Sequence, residues 1–421
     1  MQLTSKGKEG AAVTAGLRGA SWDVARMATP YTMTPHVLFT QDGQRTLGFL
    51  FSRGGETSVV CMMHPREMIV TNYLVPDILD AGCACWVQGP RSVGNDLRLE
   101  HEIALFDVAA GMSHLKSLGF RKTILLGLSG GAGLYAFYNQ QSLTAPQARI
   151  AQTPGGRPTK LAELDMPVAD ALVFVSPHPG QGKLLMAGID PSVIDETQPL
   201  QSDATLDPFN PKNGFRRPLD SSSYAQDFIG KYRAAQIRRV EKIDAFSREL
   251  IAEKMAARKR LKEAPNRDDK WRSSYAPVFN VWRTDADLRC WDLSLDPSDR
   301  RIGSLWGPDP TVSNLGSVGF ARVVTPESWL STWSGLSSNA SFDKCASAVE
   351  QPTLLVAYTG DNCVFPSDLT TIFDGLKTSQ KTRVDVRGNH HGLPLAPGEE
   401  AGQIQAGLAI QRWLNDTVGV R

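Results

Sequence analysis

The sequence lacks several features that would place it in a familiar class of protein. Its 421 residues carry 45 basic and 44 acidic side chains, so the net charge of +1 gives no reason to expect nucleic acid or an anionic membrane as a partner. No apolar run is long enough to span a membrane, and the first residues contain no apolar leader segment. These absences predict a cytoplasmic protein.

Cysteine is also scarce. The chain has six cysteines, which imply no disulfide framework, and those in apolar runs are expected to behave as small hydrophobic residues. Histidine and cysteine nowhere show the spacing of a zinc site, and the neighbouring acids Asp190, Asp195 and Glu196 do not make a metal site alone. The sequence therefore predicts neither a metal nor another cofactor.

Nucleotide-binding motifs are missing as well, although a glycine-rich turn is present. An apolar run ends in residues 127–131, Gly-Leu-Ser-Gly-Gly. No Lys-Ser or Lys-Thr pair follows at P-loop spacing, and Ser129 stands where a dinucleotide-binding fingerprint needs its second glycine. The segment matches G-x-S-x-G instead, which predicts a strand, a sharp turn that exposes the Ser129 hydroxyl, and a helix. The N–H of Gly130, at the helix start, would be available to bind a developing oxyanion.

A serine nucleophile needs an acid and a histidine further along the chain. The apolar run that begins at residue 351 breaks at Gly360 and delivers Asp361 to a loop. Alternating valines over residues 382–386 predict a shorter strand, and the glycine-bounded loop after it carries His390 and His391. Open α/β sheets build their sites at the carboxyl ends of strands, where both loops are expected to lie. The two adjacent histidines leave two candidates for the base.

These motifs resemble those of the α/β-hydrolase family. The resemblance rests on the G-x-S-x-G turn, on Gly360-Asp361, on the glycine-histidine loop at residues 388–391, and on His64-Pro65-Arg66-Glu67 after an early strand. It covers residues 35–180 and 350–417. It implies the α/β-hydrolase fold: a mostly parallel central sheet with helices on both faces.

The resemblance also implies roles for individual residues. In the family, the last strand usually ends on a glycine a few residues before the catalytic histidine, which favours His391 over His390. The implied triad is Ser129, Asp361 and His391. The family's loop after the third strand supplies the second oxyanion donor. Because proline has no N–H, that donor is expected to be the backbone of Arg66, beside the N–H of Gly130.

Long stretches outside the motifs predict additional segments. Residues 1–34 are expected to be an N-terminal extension, residues 35–180 and 350–421 the hydrolase core, and residues 181–349 an inserted, mainly helical cap. Residues 224–262 should form one or two helices. Five tryptophans between residues 274 and 341 fit either a bulky apolar pocket or the insertion's own core. His64 and His178, after predicted strands, are the candidate substrate-binding residues.

The predicted activity is hydrolysis of a carboxylic ester, lactone or thioester of a bulky, largely apolar small molecule through an acyl-enzyme. Carbon-carbon bond or amide hydrolysis on the same triad remains open, as does acyl transfer, or a noncatalytic binding protein with this fold. A small-molecule substrate is the expected partner. The sequence leaves homodimer formation open.

Overall fold

Strands and helices alternate along the first and last thirds of the chain. The computed structural model describes residues 30–91, 93–94, 96–218, 220–316 and 319–420. The strands are β1 (Thr32–Phe39), β2 (Arg45–Ser52), β3 (Ser58–Met63), β4 (Ala84–Gln88), β5 (Lys122–Leu128), β6 (Ala171–Val175), β7 (Phe279–Asn280), β8 (Val323–Val324), β9 (Thr353–Tyr358) and β10 (Lys381–Val386). The helices are α1 (Val75–Asp80), α2 (His101–Ser117), α3 (Gly130–Leu143), α4 (Gln181–Gly188), α5 (Gln226–Glu263), α6 (Arg267–Ser274), α7 (Pro310–Leu315), α8 (Pro326–Ser328), α9 (Phe342–Cys345), α10 (Pro366–Gly375) and α11 (Gly402–Trp413).

Eight of the strands form one sheet in the order β1-β2-β4-β3-β5-β6-β9-β10. Strand β2 runs antiparallel to β1 and β4, and the other neighbouring strands are parallel. A parallel sheet brings the carboxyl ends of its strands to one edge, so the loops after β3, β5, β6, β9 and β10 open on the same side of the molecule.

Both faces of the sheet are covered. Successive residues of β3 point to opposite faces, as the two-residue period of a strand requires. Val59 and Cys61 belong to the apolar layer that also holds residues of α2 and α3, whereas Val60 and Met62 belong to the layer shared with α1 and α11. All of these strand residues are at most 2% exposed. The predicted α/β architecture is therefore confirmed.

The predicted elements differ from the structure mainly at their ends. Strand β10, expected over residues 382–386, begins one residue earlier at Lys381, and helix α1 begins at Val75 with Pro76 in its first turn. Strand β1 begins at Thr32, inside the predicted extension. Its exposed edge position leaves little burial pattern to read. Most of the predicted extension, residues 1–29, lies outside the described residues, and the segment limits remain predictions.

A largely helical insertion separates β6 from β9. Its longest element, α5, is one helix of 38 residues where the sequence allowed one or two. The first half of α5 packs with α4 and with Trp329 and Trp333 of the π-helical turn that follows α8. Trp329 is fully buried and donates its indole N–H to Asp244 of α5 at 2.7 Å. Trp291 is buried in a second apolar cluster around Tyr232. These two tryptophans hold the insertion together.

Hydrogen bonds join the insertion to the core at the start of α2 and at the residues just before it in the sequence. Thr325 and Thr332 donate their hydroxyl protons to the carbonyl oxygens of Leu97 and Leu99, at 2.8 and 2.7 Å. The Glu102 carboxylate, which is fully buried, accepts hydrogen bonds from the side chains of Ser331 and Asn339. The insertion is thus fixed to the sheet edge that carries the strand-end loops.

Candidate active site

The turn between β5 and α3 holds Ser129 in strained backbone geometry. Ser129 has φ of 49° and ψ of −117°, a region that a non-glycine residue rarely adopts. Its own N–H donates to the carbonyl of Val175 at 3.0 Å, which fixes the turn against β6. Glycines are required around it: a Cβ on Gly127 would lie 2.5 Å from the backbone of Ala132, and one on Gly131 would lie 2.5 Å from the carbonyl oxygen of Met63.

A chain of hydrogen bonds joins the ends of three strands. The Ser129 hydroxyl, after β5, lies 3.0 Å from Nε2 of His390, after β10. Nδ1 of the same imidazole lies 2.7 Å from Oδ2 of Asp361, after β9. The other carboxylate oxygen accepts the N–H groups of Cys363 and Val364 at 2.7 and 2.9 Å. Asp361 and His390 are 2% and 4% exposed, whereas Ser129 is partly exposed, so the serine is the accessible end of the chain.

The structure corrects the choice between the two histidines, because it places His390, and not the predicted His391, between the carboxylate and the serine. The side chain of Asn389 accepts the N–H groups of His391 and Leu393, both at 3.0 Å, and Gly392 follows with φ of 72°. This tight turn directs the two rings differently; they meet edge to face with centroids 5.0 Å apart. An asparagine followed three residues later by a glycine was the signal for the turn.

The loop after β3 also differs from the prediction. The N–H of Arg66, expected to face an oxyanion, instead donates to Nδ1 of His64 at 3.2 Å, and the N–H of Glu67 donates to the same atom at 3.1 Å. The other predicted donor, the N–H of Gly130, lies in the first turn of α3, where helix geometry provides no intrahelical acceptor. The expected pair of backbone donors is therefore only half present.

Comparisons with known proteins agree with this architecture. No protein-family model matches the sequence, and a search of curated proteins gave no match either. Among solved structures, DcsB in complex with its substrate analogue superposes with a TM-score of 0.50 at 12% identity, covering 91% of this chain and 99% of that one. The α/β hydrolase GrgF from Penicillium sp. sh18 gives 0.47 at 12% identity, with coverage of 91% and 98%. A monoacylglycerol lipase from Paleococcus ferrophilus gives 0.40 at 14%, with coverage of 93% and 100%.

This chain has the α/β-hydrolase fold. The identities are so low that the likeness extends to the fold alone.

Besides His390, the core of this chain buries three further histidines. His64 follows β3 and His178 follows β6, as predicted for the substrate-binding candidates. His101, which the sequence analysis did not single out, begins α2 and is 1% exposed. Its Nδ1 lies 3.2 Å from the Thr332 hydroxyl, which itself donates to Leu99. A Glu-His-Glu triplet at the start of an otherwise apolar helix was its only sequence signal.

Burial keeps these three imidazoles neutral. Loss of solvent, with a smaller contribution in the same direction from neighbouring imidazoles, lowers the pKa of His64 and of His101 to about 4 and that of His178 to about 3. Nδ1 of His178 accepts the N–H of Gly180 at 3.2 Å, which places its proton on Nε2. The core thus holds three buried, neutral hydrogen-bonding rings near neutral pH.

Aromatic side chains of the insertion contact the loop after β3. The Arg66 guanidinium lies 4.9 Å from the ring centroid of Trp333 and 5.7 Å from that of Phe320. Trp306 packs edge-on against Phe320 with centroids 5.5 Å apart. Some aromatic residues of the insertion therefore lie beside the core, whereas Trp329 belongs to the insertion's own core.

Two further observations concern metal-ligating groups and membrane-spanning helices. Within the described ranges, no group of three or more His, Cys, Asp or Glu side chains is placed to hold a metal ion. In the same ranges, no helix is both long and apolar enough to cross a membrane. An open cavity of about 550 Å³ between α4 and α10 is lined by apolar residues and by a few charged side chains, of which Lys183 and Asp343 pair with each other at 3.0 Å. Ser129, Asp361 and His390 are not among its lining residues, so it is not part of the candidate site.

Proposed function

We propose that this protein is a serine hydrolase that cleaves a carboxylic ester, lactone or thioester of a bulky, largely apolar small molecule. The observation that supports this most strongly is the hydrogen-bonded chain from Asp361 through His390 to Ser129, with the serine at a strained strand-to-helix turn. Strain at a partly exposed serine is expected where backbone geometry serves a reaction.

The geometry suits a proton transfer from the serine to the histidine. A carboxylate at Nδ1 holds the proton of the neutral ring on that nitrogen, which leaves Nε2 of His390 free to accept the Ser129 hydroxyl proton. The serine oxygen then attacks the carbonyl carbon, and the protonated ring gives its proton to the leaving oxygen. Water, deprotonated by the same nitrogen, hydrolyses the acyl-enzyme. Asp361 stabilises the ring while it carries a positive charge.

The aromatic residues beside the loop after β3 favour an apolar substrate. Trp333 is buried and Phe320 is half-buried, and both approach Arg66, three residues after the end of β3. A pocket lined mainly by apolar and aromatic side chains, with a few polar groups, is typical of small-molecule sites. We therefore place the acyl or alcohol part of the substrate against this wall.

A second candidate is hydrolysis of a carbon-carbon bond beside a ketone. It is favoured by the buried neutral imidazoles of His64, His101 and His178, which are more numerous than ester hydrolysis requires. Such a reaction needs a proton donor for the carbon leaving group, and we assign that role to His178, whose proton is on Nε2.

Labelling with a fluorophosphonate probe tests the proposal. We expect intact mass and peptide mapping to place the probe on Ser129, and we expect Ser129→Ala to remain unlabelled. A panel of aryl esters with acyl chains of increasing length should then show turnover that favours bulkier acyl groups, while an aryl β-diketone tests the second candidate. A folded wild-type protein that neither reacts with the probe nor turns over any ester would contradict serine hydrolysis and favour a binding protein. Product formation only with an added alcohol would identify acyl transfer.

A further inference from the structure

We propose that the side chain of His64, through its Nε2–H group, is the second hydrogen-bond donor to the oxyanion formed at Ser129. The imidazole of His64 would then donate the hydrogen bond that was expected from the backbone N–H of Arg66. The inference rests on the proposed function, because an oxyanion arises only when the serine attacks a carbonyl group.

The backbone of the loop after β3 has its N–H groups directed elsewhere. Pro65 has none, and the N–H groups of Arg66 and Glu67 both donate to Nδ1 of His64, at 3.2 and 3.1 Å. Two backbone donors are thus used to fix one side chain. Because these N–H groups donate to Nδ1, the hydrogen-bond donor that this loop can offer to a ligand is Nε2–H of His64.

The same two bonds determine where the ring carries its proton. A neutral imidazole has one donor and one acceptor nitrogen, and Nδ1 is the acceptor here. The proton of His64 is therefore on Nε2. Burial lowers the pKa of His64 to about 4, so the ring is neutral at neutral pH and adds no charge that would repel protonated His390.

The position of Nε2 fits the role. A Cβ built on Gly130 would lie 2.8 Å from this nitrogen, so the His64 ring reaches the start of α3 and the space where a side chain of residue 130 would be. The N–H of Gly130 is the other predicted donor. Nε2–H and the Gly130 N–H are therefore neighbours at the serine turn, and glycine at position 130 leaves room for the ring.

Substitution of His64 tests the inference through kinetics. We expect His64→Leu to lower kcat for an aryl ester by about 10²–10³-fold with little change in KM, as the loss of one oxyanion donor does. His64→Gln, whose amide can still donate, should recover part of this loss. His114→Gln, outside the site on α2, is the matched control. Thermal unfolding of each variant shows whether it is folded.

A thionoester gives a readout that a structural role would not change. Sulfur accepts hydrogen bonds poorly, so wild-type protein should favour the oxoester over the matched thionoester, and His64→Leu should reduce that preference. Folded His64→Leu that keeps both its kcat and this preference would overturn the inference while Ser129 labelling still supports hydrolysis. Wild-type protein without Ser129 labelling would overturn both.

The proton position can also be measured without activity. Nitrogen-15 spectra of the histidine side chains should show His64 as the neutral Nε2–H form at neutral pH, with the signal assigned by its absence in His64→Gln. A proton on Nδ1, or a charged ring, would overturn the inference. This measurement does not depend on whether the protein hydrolyses an ester.

Discussion

Two histidines near the same serine are held in opposite ways. His390 presents Nδ1 to the carboxylate of Asp361, and His64 presents Nδ1 to the backbone N–H groups of Arg66 and Glu67. An acceptor at Nδ1 keeps the proton there and makes Nε2 a base, whereas donors at Nδ1 move the proton to Nε2 and make it a donor. The partner of Nδ1 therefore decides what each ring can do.

The largest effect should come from removing the base. His390→Ala should lower kcat for an aryl ester by about 10⁵–10⁶-fold, since the loss of the proton acceptor costs about as much as loss of the whole triad. His391→Ala is the matched control, because its ring packs edge to face against that of His390 and is not part of the hydrogen-bonded chain from Asp361 to Ser129. Steady-state kinetics on both variants measures the difference. The opposite ranking would restore the sequence prediction of His391.

Asp361→Asn should make His390 resemble His64 in the position of its ring proton. An asparagine amide can donate to Nδ1 of His390, which would move the ring proton to Nε2 and prevent it from accepting the Ser129 proton. We expect kcat to fall by about 10⁴-fold with the protein still folded. Fluorophosphonate labelling should slow in parallel, and nitrogen-15 spectra should show the changed proton position. Unchanged labelling would mean that Asp361 does not set the form of the ring.

Gly130→Ala tests the space between the serine turn and the second histidine. The new Cβ would lie 2.8 Å from Nε2 of His64, and the ring cannot easily retreat because two backbone bonds hold it. We expect kcat to fall by about tenfold to a hundredfold through misplacement of the donor. Gly133→Ala on the same helix is the control, since its Cβ meets nothing nearer than 3.8 Å. Equal kinetics for the two variants would contradict the close approach.

The smallest effect at neutral pH concerns stability and appears only in acid. His64, His101 and His178 have folded-state pKa values of about 4, 4 and 3, below the unfolded value of about 6.5. As the pH falls below the unfolded value, the unfolded chain binds protons that the folded one does not. Between the unfolded value and the folded-state pKa of each ring, the free energy of unfolding should therefore decrease by about 1.4 kcal/mol per pH unit for that ring. Urea unfolding at several pH values measures the slope, which His101→Gln should reduce. A flat profile would contradict the buried neutral rings.

The sequence predicted the parts of the site that depend on the local order of residues. The Ser129 turn and the loop carrying Asp361 follow from apolar runs that end in glycine, and both lie at strand ends as expected. The choice of histidine failed because adjacent residues share one sequence context, and only the Asn389 turn separates their directions. The role of the β3 loop could not be predicted, because it depends on how an imidazole packs over Gly130.

The insertion was predicted less completely for a different reason. Its length and the helical pattern of α5 were visible, but its tryptophans have roles that distant contacts decide. Trp329 donates a hydrogen bond to Asp244 inside the insertion, whereas Trp333 contacts Arg66, which belongs to the core. The sequence spacing of the two residues does not distinguish these roles. His101 was missed because its partner, Thr332, is more than two hundred residues away.

The hydrogen bonds between the insertion and the segment before α2 bear on how a substrate reaches Ser129. Glu102 and the carbonyl oxygens of Leu97 and Leu99 accept bonds from the insertion, and lifting it would expose a buried carboxylate and break bonds that contribute about 1 kcal/mol each. We expect the insertion to stay fixed on the core during turnover. The choice of substrate would then depend on the shape of the entrance to Ser129, and the opening of a lid would not limit the rate of turnover.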